Sequence, residues 1–230
     1  MKLVKLFISV AILLTGTQLK AQNDLTIEYI QTINIHKSLS SAQKAMKAFL
    51  PETIEKKIVY KYTDNKARIK EGKMEKKEKS SINIQTSGGS SDALIDYKVN
   101  KATEYHKIMN KYFCVKQKIG DVEFKYSDET REILGYICTK AIYNNREGED
   151  MTFWIAKDID IKATPLVPLI SNKGAILAID SDKVSFVAKS INKKDLSNND
   201  IITPPTAKQI TKEQLEDLQQ EQIEEMQQQN

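Results

Sequence analysis

Histidine and cysteine, which supply most metal ligands and many catalytic bases and nucleophiles, are almost absent from this sequence. The chain has two histidines, His36 and His106, and two cysteines, Cys114 and Cys138. Neither histidine has a second ligand at metal-binding spacing, and the cysteines form no CxxC pair. GxSxG, HExxH, P-loop and GxGxxG motifs are also missing. We therefore predict no catalytic, cofactor-binding or metal-binding residues, no cofactor and no enzymatic activity, with both histidines dispensable for function.

Three segments resemble ligand sites but lack the required sequence pattern. The glycine-containing turn at 87–91 lacks the Gly-Lys-Ser/Thr ending of a phosphate-binding loop. The acidic groups at 147–150 and 180–182 lack the spacing and the following glutamate of a calcium loop. We interpret the first as a flexible turn and the two acidic groups as solvated turns.

The beginning of the chain has the pattern of a secretory signal peptide. Lys2 and Lys5 give a positive start, residues 6–14 are apolar but too short to span a bilayer, and Ala21 is a small residue at the cleavage position. We predict that Met1 to Ala21 is removed and that the protein is exported. An uncleaved membrane anchor is the alternative.

The charge balance gives no electrostatic reason to bind nucleic acid. The formal net charge is +4, and cleavage after Ala21 would remove Lys2, Lys5 and Lys20 without removing any acid, leaving +1. The basic run at 70–79 is interleaved with glutamates. We predict no nucleic-acid partner.

The segment 123–161 contains the clearest strand patterns in the chain. From Ile133 to Tyr143 both faces are largely apolar, β-branched or aromatic, which predicts a strand partly covered on both sides, with Gly135 marking a bulge or a close approach. A polar turn at 144–150 follows, and then a second strand from Met151 to Ile161 carries Trp154, the only tryptophan. Together they predict a hairpin with a long loop.

The same segment resembles the GLPGLI family of secreted bacterial proteins. The resemblance is carried by ILGYICTKA (133–141) followed by TFWIAKDIDI (152–161), and Leu166-Val167-Pro168-Leu169-Ile170 stands where that family has its naming motif. It implies a fold and a compartment rather than a reaction. The expected location is the periplasm, the outer membrane or the exterior of a Gram-negative bacterium.

The rest of the chain reads as short strands with two helices. Leu25, Ile27 and Tyr29 alternate with polar residues as in a strand, and the spacing of apolar residues predicts a helix at 39–50, ended by Pro51, and another at 211–229. Further strands are predicted at 57–62, 66–70, 81–86, 93–99, 105–118, 122–126, 175–180 and 184–190, with turns at 119–121 and 127–130.

These elements predict an α+β protein that is mainly antiparallel β, a curved open sheet or incomplete barrel with one covering helix and a C-terminal helix. We expect a signal peptide at 1–21, an antiparallel β domain at 22–191, and a polar linker with an amphipathic helix at 192–230. The C-terminal helix should be the least firmly held element. We predict that five apolar residues are buried: Phe49, Ile137, Phe153, Trp154 and Ile176.

The two cysteines are predicted to be unbridged. In a simple meander one strand would lie between Cys114 and Cys138, about 9–10 Å sideways. A disulfide needs Cα atoms within about 7 Å. Export to an oxidising compartment is the opposing consideration.

Three functions stay open at this point. The expected fold resembles the LolA-like class of envelope proteins, which implies a concave face that holds lipid or acyl chains. The aromatic residues that could line such a cavity, or fill an ordinary core, are Tyr29, Phe49, Tyr60, Tyr62, Phe113, Phe124, Tyr136, Phe153 and Trp154. The alternatives are an envelope protein–protein interaction module that docks through the C-terminal helix, and an unrecognised enzyme.

Overall fold

The structure is a computed structural model that describes residues 24–39, 44, 47–73, 92–108, 110–144, 149–193, 196, 201 and 206–228. The predicted signal peptide, the predicted strand at 81–86, the turn at 87–91 and most of the linker at 192–200 lie outside the described residues. No helix within the described part is long and apolar enough to cross a membrane.

Within these residues, twelve strands form one large sheet. They are β1 (Leu25–Asn34), β2 (Thr53–Thr63), β3 (Lys66–Gly72), β4 (Asp92–Asp96), β5 (Lys101–Ile108), β6 (Lys111–Lys118), β8 (Lys125–Ile133), β9 (Tyr136–Asn144), β10 (Asp150–Ala156), β12 (Ala175–Asp180), β13 (Val184–Asn192) and β14 (Lys208–Gln209). Two short strands, β7 (Gly120–Asp121) and β11 (Leu169–Ile170), pair with each other. The helices are α1 (Ile35–Ser38) and α2 (Lys212–Gln228).

The strand order is β14-β6-β5-β4-β3-β2-β1-β13-β12-β10-β9-β8. Neighbouring strands are antiparallel except for β14, which pairs in parallel with β6. The first long strand, β1, therefore lies inside the sheet between β2 and the late strand β13. A mainly antiparallel open sheet is confirmed.

The sheet must curl, because a short connection joins strands near its two ends. In the strand order β6 is second and β8 is last, so ten inter-strand spacings separate them. In a flat sheet, spacings of about 4.8 Å would set the two strands about 48 Å apart. The chain covers this gap from Lys118 to Lys125, and seven extended residues span at most about 25 Å.

One face of the sheet, called here the inner face, forms the core. In β1 the side chains of Leu25, Ile27 and Tyr29 are fully buried, and each lies opposite a residue of β2 that also faces inward. Because side chains alternate between faces along a strand, the intervening polar residues lie on the opposite, outer face. This alternation confirms the predicted pattern of the first strand.

A second, smaller apolar cluster joins the C-terminal segment to one end of the sheet. Leu215 of α2 and Ile210 pack with Ile108 of β5 and with Phe113 and Val115 of β6. The backbone N–H of Ile210 donates to the carbonyl of Cys114 at 3.0 Å. The helix predicted at 211–229 is present as α2, whereas no sequence pattern indicated β14.

The strand predicted at Ile133 to Tyr143 is wrong at its start. Leu134 and Gly135 form a tight turn with φ values of 54° and 81°, so Ile133 ends β8 and Tyr136 begins β9. Gly135 provides the left-handed backbone of this turn rather than a bulge in mid-strand. The predicted turn at 127–130 lies instead inside β8, where the pairing with β9 is irregular.

Two other boundaries differ from the prediction. The segment 105–118 is not one strand, because a turn at Asn110, with φ 66°, separates β5 from β6. The predicted turn at 119–121 contains the short strand β7, and residues 122–124 continue as an irregular connection rather than a strand. The hairpins β9–β10 and β12–β13 are confirmed, although β10 ends at Ala156 rather than at Ile161.

Part of the predicted core is wrong, and the covering helix predicted at 39–50 is not confirmed. The structure has the four-residue helix α1 before the predicted helix at 39–50, and residues 40–43, 45 and 46 are outside the described part. Phe49 is 81% exposed and Ile137 is 54% exposed. Phe153 and Ile176 are fully buried, as predicted, whereas Trp154 is half-buried against the core.

The two cysteines are free, as predicted, but the strand order between them differs from the predicted meander. Cys114 lies on β6 and Cys138 on β9, and eight strands stand between them in the sheet. The simple meander that placed one strand between them is wrong, since the intervening strands are β1 to β5, β10, β12 and β13. Both thiols are buried.

Candidate functional site

The inner face of the sheet is filled by the chain itself. The segment at 119–124 that connects β6 to β8 brings Phe124 against Phe153 of β10, with ring centroids 5.0 Å apart. Phe124 also meets Tyr143 of β9 at 6.3 Å. These edge-on contacts are the geometry that aromatic pairs prefer. The connection therefore packs into the hollow of the curled sheet.

A second segment fills the same hollow from the other side. β11 pairs with β7 in the connection, and Ile159, Ala163 and Ile170 around it are at most 2% exposed. The backbone N–H of Ile176 donates to the carbonyl of Ala163 at 2.9 Å, which ties this loop to β12.

Most of the aromatic residues proposed to line a cavity are core residues. Tyr29, Tyr60 and Phe153 are fully buried, and Phe124 and Phe113 are less than a tenth exposed. The remaining members are distributed elsewhere: Tyr62 and Tyr136 are half-buried, Trp154 lies on the outer face, and Phe49 is exposed. An ordinary filled core accounts for the buried members.

Three tyrosine hydroxyls inside this core have defined partners. Tyr29 donates to the carbonyl of Ile176 at 2.9 Å, and Tyr97 donates to the carbonyl of Lys162 at 2.9 Å. The hydroxyls of Tyr60 and Tyr97 are 3.0 Å apart. Since a carbonyl can only accept, the Tyr97 proton is committed to Lys162, and Tyr60 is the donor in the tyrosine pair.

Burial keeps these hydroxyls neutral. It raises the pKa of Tyr29 and of Tyr60 well above the ordinary tyrosine value, and it also raises the pKa of Tyr97. None of the three is a base near neutral pH. Tyr60 and Tyr97 form a chain of hydrogen bonds from the sheet to the loop around Lys162, and Tyr29 donates to Ile176 of β12.

A cleft of about 130 Å³ opens where these elements meet. Its lining residues come from the turn after β4, the connection after β6 and the loop before β12: Tyr97, Asn100, Ile119, Gly120, Lys162 and Ile170. Asn100 has a φ of 50°. Its carbonyl accepts a hydrogen bond from the N–H of Ile119 at 3.0 Å, which holds the Asn100 wall of the cleft against the Ile119 wall.

The cleft is suited to one small group rather than to a long chain. Its volume is below the roughly 300–1,000 Å³ of ordinary small-molecule sites and close to the roughly 150 Å³ that holds a single benzene ring. Asn100 and Lys162 offer amide and ammonium groups, and Ile119 and Ile170 offer apolar walls. A Cβ at Gly120 would meet no atom within 4 Å, so the space beside this residue is open.

The histidines and cysteines considered above as catalytic or metal-binding residues do not lie together at the cleft. His36 Nε2 lies 2.9 Å from the carbonyl of Leu50, and burial lowers the pKa of His106 on the inner face of β5. Burial raises the pKa of the Cys138 thiol to about 11. Among the described residues no group of three His, Cys, Asp or Glu side chains could hold a metal ion.

On the outer face of the sheet, Trp154 contacts Asp180 and Arg131. Its Nε1–H donates to Asp180 Oδ2 at 2.9 Å, and the Arg131 guanidinium lies 4.7 Å from the ring centroid. Arg131 also approaches the same carboxylate at 3.5 Å. These contacts connect β8, β10 and β12 and leave the indole half-buried.

Comparison with known proteins gives a fold and no family. No family model matches the chain, and no curated protein matches it. Two structures of PNGF-II, in space groups C2 and P21, match with TM-scores of 0.58 and 0.59 at 18% and 16% identity. They cover 86% and 85% of this chain but 32% and 33% of PNGF-II, so the chain spans about a third of the length of PNGF-II. At such identities the match shows the fold alone.

A third structure is an uncharacterized conserved protein from Thermus thermophilus. It has a TM-score of 0.42 at 8% identity, and the match covers 84% of this chain and 93% of the other.

The residues of the cleft carried no sequence signal. Asn100 and Gly120 are ordinary turn residues by type, and Lys162 is one of many lysines. Their proximity depends on the connection that crosses the inner face, and no local pattern encodes such a crossing.

Proposed function

We propose that the protein is an exported, non-enzymatic binding protein of the bacterial envelope, which takes one small group of a protein partner into the cleft between Tyr97, Asn100 and Lys162. It acts as an interaction module rather than as a carrier of acyl chains. The resemblance to the GLPGLI family supports the envelope assignment.

The observation that carries this proposal is the filled inner face. An acyl carrier needs an apolar tunnel, but the connection at 119–124 and the loop around Ile170 occupy the place where a tunnel would lie. The cleft at Tyr97, Asn100 and Lys162 mixes polar and apolar walls, which suits one side chain of a partner.

The alternative, a lipid or other hydrophobic ligand on the inner face, requires the connection at 119–124 to move out. Phe124 would then lose its contacts with Phe153 and Tyr143. Such a ligand would have to replace this buried aromatic surface with apolar surface of its own.

The test uses a photoreactive amino acid at Asn100, with the full chain expressed in its own host. The expected result is a discrete crosslinked protein product. Gly120→Leu should abolish it, because a leucine side chain enters the open space of the cleft without a backbone clash. A probe at Lys189, which is exposed on β13, is the matched control.

Crosslinking that persists in Gly120→Leu, or that is equally strong from position 189, would overturn the assignment of the cleft. A product that is an acyl lipid rather than a protein would overturn the interaction module and support the carrier.

A further inference from the structure

The outer face of strands β3 to β6 carries a large excess of positive charge. Residues directly opposite each other in an antiparallel ladder share a face, and the pairing of these four strands therefore assigns every side chain. The inner face is identified by its buried residues, and the residues that alternate with them lie on the outer face. The buried residues are Ala67, Ile69, Ala93, Ile95 and Ala102. Seven basic and two acidic residues share the outer face: Lys66, Arg68, Lys70, Lys101, Lys107, Lys116 and Lys118 against Asp92 and Asp96.

Six of these cations are exposed lysines that form no ion pair within the described residues. Arg68 differs from them, because it is buried and paired with Asp92 at 2.6 Å. Lys66 and Lys101 flank Asp96 in the ladder, but Lys101 also lies directly opposite Lys118. Like charges in that position destabilise a sheet, so a ligand that neutralises them is favoured.

The complementary charge lies on the helix that packs behind the same strands. The sequence of α2 contains six acidic residues and one lysine, a formal charge of −5 over 17 residues. Glu213, Asp217 and Glu221 are exposed, and in the described part of the chain none of them forms an ion pair. The lengths also agree, since 17 helical residues extend about 26 Å and the eight residues of β5 or β6 about 27 Å.

We propose that the outer face of β3 to β6 binds the acidic face of α2 from a second copy of this chain. This contact is separate from the cleft and goes beyond the proposed function. Its strength comes from charge pairs at a solvent-accessible surface, so it is weak and salt-dependent.

The contact joins copies head to tail. Leu215 of α2 packs on the inner face of β5 and β6, and the lysines lie on the outer face of the same strands. The acidic face of α2 and the lysine-bearing outer face of the sheet therefore point in opposite directions. A closed pair cannot use both, so each added copy presents a new free surface, and the assembly grows past the dimer to a ring or an open series.

Sedimentation velocity of the mature chain over a range of concentrations tests the proposal. At about 0.01 M salt, where the Debye length is about 30 Å, the mean mass should rise with concentration past that of a dimer. At about 1 M salt, where it is about 3 Å, the protein should be monomeric. A monomer at all concentrations in low salt, a mass that stops at the dimer, or association that persists in high salt would overturn the proposal.

A charge exchange identifies the two surfaces. Two double variants should each raise the concentration for half-association about tenfold or more: Lys116→Glu/Lys118→Glu and Glu213→Lys/Asp217→Lys. An equimolar mixture of the two variants should restore the original concentration for half-association. Lys157→Glu/Lys189→Glu, at exposed lysines outside this face, is the control and should change little. A mixture that stays monomeric would overturn the assignment of α2. So would binding to vesicles with anionic headgroups by a chain that does not self-associate, since the occupant would then be a membrane.

Discussion

Replacing Phe153 by alanine should be among the most damaging single changes in the protein. The ring is fully buried and lies 5.0 Å from Phe124 and 6.4 Å from Tyr143. Loss of a buried phenylalanine costs about 3–5 kcal/mol in free energy of unfolding. Typical domains have about 5–15 kcal/mol in total, so a large share of the stability would be lost.

The pair Phe124–Phe153 gives a sharper test, because Phe124 belongs to the connection and Phe153 to the sheet. A double-mutant cycle with leucine at both positions keeps most of the apolar volume and isolates the contact between the rings. We expect a coupling free energy of about 0.5–1.5 kcal/mol. Urea unfolding followed by far-UV circular dichroism measures each of the four free energies.

Phe49→Leu is the matched control. Phe49 is 81% exposed, so the same chemical change there should alter the free energy of unfolding by no more than about 0.5 kcal/mol. If the effects of Phe124→Leu and Phe153→Leu simply add, the two rings do not touch, and the connection does not pack on the inner face.

The other predictions concern the outer face, the C-terminal helix and the buried hydroxyls. Trp154→Ala should cost about 3 kcal/mol by chemical unfolding, since the half-buried indole loses core packing and its bond to Asp180; an unchanged midpoint would place Trp154 outside the packing. Hydrogen exchange should show α2 opening well below the global free energy of unfolding, and protection equal to that of β1 would refute this. Because burial raises the pKa of Tyr29 and Tyr60, the stability that they provide is complete below pH about 10 and is lost as the pH rises above it; a pH-independent stability up to pH about 12 would contradict the burial.

Local patterns predicted the strands whose two faces differ. In β1 and β2 an apolar residue at every second position pairs across the ladder, for example Ile27 with Tyr60, and both the strand and its buried face follow from that period. The turn at Leu134–Gly135 was missed because apolar residues surround it and no Asn or Asp marks it. At Asn110 the asparagine was a usable signal, since asparagine tolerates the left-handed backbone observed there.

Long-range features had no local signal. The insertion of β1 between β2 and β13 pairs residues that lie far apart in the sequence, such as Ile27 with Ile191. The predicted burial of Ile137 failed because its position next to the β8–β9 turn leaves it uncovered, which its residue type does not reveal. The cleft depends on the crossing connection and was beyond sequence reasoning for the same reason.

A filled inner face leaves no room for a bound acyl chain, and the amount of lipid that copurifies with the protein shows whether it is filled. The protein is purified from its own host without detergent and extracted with organic solvent, and the extract is analysed by mass spectrometry for acyl lipids relative to the amount of protein. We predict no acyl chain near stoichiometric amount, because the connection at 119–124 and the loop around Ile170 occupy the hollow of the sheet. A roughly stoichiometric amount of acyl chain in the extract would contradict this and would support a lipid carrier.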